Sequence, residues 1–76
     1  MDQQMLLDHL KQAEQHVSLS EGHVALQQRI VADLERDGHD TTNARTLLKT
    51  FEDLQVQHLR HRDRLLHELR AAGRAR

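Results

Sequence analysis

Asp37-Gly38-His39-Asp40-Thr41-Thr42-Asn43 lies between two long segments of helical periodicity, and its reading decides the fold. Glycine enters the left-handed conformation without steric cost, so Gly38 is read as the residue just past the end of a first helix. Asp40, Thr41 or Thr42 can accept a hydrogen bond from the open amides that begin a second helix. A stop and a start within four residues leave room only for a tight αα-hairpin. The expected architecture is all-α. A helix over 3–37, a turn over 38–41, a helix over 42–72 and a frayed tail over 73–76 make one domain spanning 1–76.

The first segment repeats its apolar residues at threes and fours. Leu10, Val17, Val24 and Val31 occupy one core position, and Leu6, Ala13, Ser20, Gln27 and Leu34 the other, which is a heptad seam. Ser20 and Gln27 place polar side chains in it. A second stripe, displaced by one residue, reads His9, His16, His23, Ile30 at the flank of the seam. Leu7, Leu26 and Ile30 widen the apolar face beyond two positions in seven, a width that suits a bundle. Gly22 costs roughly 1 kcal/mol relative to alanine in a helix interior, and marks either a close helix approach or a slight bend.

The second segment reads Ala44, Leu47, Phe51, Leu54, His58, His61, Leu65 and Leu69 along its seam, with Leu48, Leu59 and Leu66 at the edges. With the turn centred between His39 and Asp40, residue i faces about 79 − i. Gln27 then meets Phe51, Ser20 faces His58, Ala13 faces Leu65 and Leu10 faces Leu69. The same alignment sets Asp8, Glu14 and Glu21 near Arg70, Arg64 and Arg60.

Composition bounds the rest. In 76 residues with 37% apolar and 30% charged side chains, a single chain struggles to bury a sufficient core, although paired helices tolerate such a balance. The absence of proline favours helix, and the absence of cysteine removes disulfides and thiolate chemistry. The net charge of −1 hides an asymmetry. Three basic residues against seven acidic ones give residues 1–38 a charge of −4, and eight against five give residues 39–76 a charge of +3. Folding the arms together matches them. With no signal-peptide pattern at Met1-Asp2-Gln3-Gln4 and no apolar run near the roughly 20 residues of a span, a soluble cytoplasmic chain without membrane partners is expected.

Seven histidines are the main chemical signal. His58 and His61 form an i, i+3 pair of the kind that converges on metal in helix bundles, and His16, Ser20, His23 and Glu21 approach it across the hairpin. A transition-metal site on His58, His61, His16 and His23 is therefore one candidate. The plainer reading is a polar layer in which histidines hydrogen-bond Ser20, Gln27 or each other and fix the register. The arginines Arg60, Arg64 and Arg70, with Arg62, Arg74 and Arg76, form a second candidate, a phosphate-contacting surface for nucleic acid. A single aromatic, Phe51, gives no stacking platform, and a solvated face matched to the acidic arm explains the arginines better. Catalysis finds no glycine-rich loop or nucleophile elbow, and Asp40 and Thr41 are accounted for as helix caps.

The run Gly38-His39-Asp40-Thr41, followed by Ala44, Leu47-Leu48, Phe51-Glu52 and Arg62-Asp63-Arg64-Leu65-Leu66, resembles short bacterial helical-hairpin proteins of no assigned function. The resemblance covers residues 20–70 and implies a hairpin fold but no activity. In architecture the chain also looks like small hairpin proteins that dimerise into four-helix bundles and bind RNA, an analogy of fold alone.

One hairpin leaves Leu7, Leu26, Ile30, Leu59 and Leu66 partly wet, and two hairpins packed face to face would cover them. The expectation is an antiparallel hairpin that dimerises into a four-helix bundle, a non-enzymatic interaction or scaffold protein without cofactor. It would act as a homodimer or by lending helices to a protein partner. A histidine metal-binding bundle and a weak nucleic-acid binder are the alternatives.

Overall fold

The computed structural model describes residues 2–74, with the backbone alone for Arg74. Two helices, α1 (Gln3–Arg36) and α2 (Thr42–Arg74), fold back on each other as a hairpin, and no strand occurs among the described residues. Asp2 opens α1 by accepting the Met5 amide at 3.0 Å. At the far end Gly38 adopts φ 75°, and the His39 and Gly38 amides donate to Leu34 O at 2.9 Å and Glu35 O at 3.1 Å. These two bonds are the paired 6→1 and 5→2 closure of a Schellman stop, which a residue with a Cβ resists at Gly38. Asp40 then turns the chain into α2. Its Oδ1 accepts both the Thr42 amide at 2.9 Å and the Thr42 hydroxyl at 2.7 Å, while Arg45 N–H donates to Thr41 O at 2.8 Å as the first helical bond.

The helix ends differ slightly from expectation. α1 stops at Arg36, one residue early, and α2 continues through Gly73 to Arg74. Of the tail expected to fray, Ala75 and Arg76 lie outside the described residues.

Seven of the nine α1 seam residues are buried, and Leu10 and Leu34 are half-buried. Both polar members are satisfied. Ser20 Oγ donates to Val17 O of its own helix at 2.8 Å, and Gln27 Nε2 donates across the hairpin to Ala44 O at 2.9 Å. Gln27 therefore ties α1 to the α2 backbone, whereas the expected register set it against Phe51. Leu6, Ala13 and Leu65 form the tightest apolar cluster, with Leu10, Leu69 and Ala72 packed on it, and this joins the open end in the expected alignment. Nothing lies within 4 Å of a Cβ built on Gly22, so the hairpin itself makes no close approach there.

Along α2 the inward stripe is Ala44, Leu48, Phe51, Gln55, His58, Arg62, Leu65, Leu69 and Ala72, all buried or half-buried. Here the sequence reading needs correction. Leu47, Leu54 and His61, expected in the seam, are exposed, and Leu48, Gln55 and Arg62 stand in their places. A strict alternation of fours and threes from Ala44 keeps one stripe toward α1. Leu47, Leu54 and His61 each precede a seam residue and are rotated about 100° from it.

The result is a rod. Its radius of gyration is 17.3 Å, where a compact domain of this length would have about 11 Å.

Candidate functional site

Each seam residue has a neighbour before it and a neighbour after it, and the two sets define the two long faces of the rod. The preceding residues meet across the hairpin, since His16, Leu19, His23 and Leu54 line one groove with the seam residues Ser20, Phe51 and His58. The following residues meet on the other side, where Arg45 pairs with Glu35.

The face of preceding residues carries no formal charge over most of its length. On α1 it runs Met5, His9, Gln12, His16, Leu19, His23, Leu26, Ile30, and on α2 Asn43, Leu47, Thr50, Leu54, Gln57, His61. Only Asp33, Arg64 and Glu68 bring charge at its ends. Its apolar members stand in solvent: Leu19 is 61% exposed, Leu26 60%, Leu47 45% and Leu54 41%. Between them the groove encloses about 360 Å³. Two ring pairs form its floor and wall, His16 against His58 with centroids 5.4 Å apart and His23 against Phe51 at 5.5 Å.

The face of following residues is built differently. Lys11, Glu14, Glu21 and Glu35 on α1 oppose Arg45, Lys49, Glu52, Asp63 and Arg70 on α2. Of the ion pairs among the described residues, Arg45 with Glu35 is the one that crosses the hairpin. Lys49 pairs within its own helix with Asp53 at 2.7 Å, and that hydrogen bond raises the lysine above its ordinary value. Arg62 enters the seam but turns its guanidinium to Asp63 at 3.0 Å. The expected matches of Asp8, Glu14 and Glu21 with Arg70, Arg64 and Arg60 are not formed as ion pairs among the described residues.

The four metal candidates do not converge. His16 and His58 meet, His23 turns to Phe51 and His61 is exposed on the next turn. Among the described residues no group of three or more histidine or acidic side chains could hold one ion. Arg60 lies exposed on the outer side of α2, Arg64 is exposed at the end of the uncharged face, and Arg70 is exposed toward the charged face. The five interface candidates divide. Leu26 and Ile30 belong to the uncharged face, whereas Leu7, Leu59 and Leu66 follow seam residues and lie among the charges. Leu59 and Leu66 are also half-buried by the hairpin itself. Leu19, Leu47 and Leu54 are the surface leucines the sequence reading did not place there. Their signal was available, because each precedes a residue of the strict heptad.

In the turn, the hydroxyl and amide of Thr42 hold the Asp40 carboxyl below the usual carboxylate range. Both act as helix-start contacts.

No protein-family model, curated protein or solved structure matches the chain. Among the described residues no helix is long and apolar enough to cross a membrane.

Proposed function

We propose that this chain is a non-enzymatic helical interaction or scaffold module, acting as a homodimer or by lending its helices to a protein partner. One observation carries the reading: a face with no formal charge over most of its length, studded with exposed leucines, in a chain that is 30% charged. Apolar surface in this arrangement gains about 25 cal/mol per Å² when another apolar surface covers it. The core cannot spare that gain, since among the described residues six apolar side chains are buried and no large one is fully so. Sedimentation equilibrium at micromolar concentration should return about twice the 8.9 kDa chain mass. A helical, cooperatively melting monomer overturns the homodimer form of the reading.

A second reading, a histidine metal site, is favoured by the apposition of His16 and His58. Two imidazoles leave a tetrahedral ion half-coordinated, so the remaining ligands would have to come from outside the single hairpin. Calorimetric titration with zinc separates the two readings: binding abolished by His16→Gln supports the metal, and no heat at high micromolar zinc removes it.

A further inference from the structure

We propose that the uncharged face is where a second copy of this chain docks, and that the contact takes up neutral imidazoles, so acid releases it. This rests on the reading of the chain as a helix-association module, and names its partner and its contact.

Surface area is the first argument. The chain exposes 5799 Å², whereas a compact monomer of 8.9 kDa exposes about 4,800 Å². The excess, about 1,000 Å², is close to the roughly 800 Å² that each partner buries in a stable interface of standard size. One long side of a rod 60 × 14 × 14 Å offers that area, and a point-sized ligand would leave most of it wet.

Charge selects the occupant. In a two-fold dimer residue i of the patch meets residue j of the partner and j meets i, so a charge is covered without penalty only where its opposite lies across the axis. A stretch without formal charge sets no such condition and loses no hydrated charge on being covered. The opposite face sets it throughout, because Leu7, Leu59 and Leu66 are interspersed with charged side chains. Shape agrees. The uncharged face holds both a groove of about 360 Å³ and leucines more than half exposed beside it, which is a hole and a knob on one surface.

The histidines make the contact sensitive to protons. His16 and His58 face each other, and His23 faces Phe51. Around them lie Leu19 and Ser20 from α1 and Leu54 from α2. The charged side chains close by in sequence are Glu14 and Glu21, which follow seam residues toward the opposite face, and Arg62, one turn beyond His58, whose guanidinium pairs with Asp63. Among the described residues none of these carboxylates forms an ion pair with His16, His23 or His58, and a second copy docked on this face brings the same uncharged groups. Histidine gains its proton between about pH 5 and 8. Burying the face then favours the proton-free form, the separated copies bind more protons, and association weakens as pH falls.

Sedimentation of the full chain, with circular dichroism on the same samples, tests both parts. The expected result is a dimer at pH 8 that dissociates toward pH 5 while the helix content persists. Leu19→Glu and Leu54→Glu should each weaken the pH 8 dimer by about 30-fold or more, as expected for central interface residues. Leu7→Glu and Val56→Glu, exposed on the opposite face, should change it less than threefold. In a His16→Gln, His23→Gln, His58→Gln triple variant the dimer should lose most of its pH dependence, and adding His9→Gln and His61→Gln, the other two histidines of the face, should remove the remainder. A dimer split by Leu7→Glu or Val56→Glu, and untouched by Leu19→Glu and Leu54→Glu, overturns this assignment and leaves the association module standing. A dimer whose dissociation is the same from pH 8 to pH 5 overturns the imidazole contact. A wild-type monomer at pH 8 overturns both this inference and the homodimer reading beneath it.

Discussion

The two long faces of this hairpin share a backbone and a seam, yet differ in almost every side chain. One presents leucine, histidine, glutamine and threonine around a groove; the other intersperses acids and bases among apolar side chains such as Leu7 and Val56 and carries the cross-hairpin pair of Arg45 and Glu35. Rotating by one residue on either side of the seam changes the physics from desolvation to screened charge. An apolar face left in water costs free energy that association recovers, whereas exposed ion pairs are hydrated well enough to gain little from being covered. The contrast is why the proposed association is assigned to one side of the rod and not the other.

The largest effect on that contrast should come from the floor of the uncharged face. Phe51 is the single aromatic, half-buried, with its ring against His23. A fully buried phenylalanine loses about 3–5 kcal/mol on truncation to alanine, and partial burial brings Phe51→Ala to about 1.5–2.5 kcal/mol. Denaturant unfolding at fixed chain concentration measures it, because dimerisation would make the midpoint concentration-dependent. A loss under about 1 kcal/mol would mean that the ring is solvated and that the groove has no firm floor.

Legibility followed the same division between faces. On α1 the seam was readable residue by residue, since Leu6, Leu10, Ala13, Val17, Ser20, Val24, Gln27 and Val31 alternate by fours and threes, and the structure buries all of them but the half-buried Leu10. On α2 the positions Ala44, Phe51, His58 and Leu65 were readable, but their alternates were placed one residue early. Leu47 and Leu54 are more apolar than Leu48's companions Gln55 and Arg62, and hydrophobicity pulls the eye to them. The physical reason is that a helix with apolar side chains on two faces shows one periodicity summed over both. Leu47 and Leu54 belong to the outer face, and their apolarity became misleading only when assigned to the inner one. The histidines suffered the same ambiguity: seven-residue spacing put His9, His16 and His23 on one stripe, but spacing cannot say whether the stripe faces a metal, a helix or water. The turn was legible to within one residue at the end of α1, with the opening cap left among Asp40, Thr41 and Thr42, because Gly38 and Asp40 act through backbone geometry that depends on no distant neighbour.

The turn holds the two faces in phase, and its acid dependence is the next smaller test. Asp40 is held below the usual carboxylate range by the Thr42 hydroxyl and amide. A lowered folded-state value means that the unfolded chain binds more protons over the acid range. Its contribution is therefore complete above the ordinary carboxylate value and fades as pH falls through the lowered one. Thermal midpoints between pH 2 and pH 6 should show a steeper acid loss in wild type than in Asp40→Ala. Parallel curves would show that Thr42 is not held by the carboxylate in solution, and that Gly38 alone sets the turn.

The smallest expected effect belongs to the charged face, and it sharpens the comparison most cleanly because salt acts on the two faces differently. Arg45 and Glu35 pair with 57% and 48% of their side chains exposed, so water screens them and the pair is worth about 0.2–1 kcal/mol. Glu35→Gln should lower stability by that amount at low salt. Near 1 M sodium chloride, where the screening length is about 3 Å, the difference from wild type should disappear. Association through the uncharged face has no ion pair to screen, so the dimer should persist at the same salt concentration. A dimer that dissociates with added salt at pH 8 would place the contact among Glu14, Glu21, Lys49 and Arg70 instead, because only charges that attract across an interface are weakened in that way.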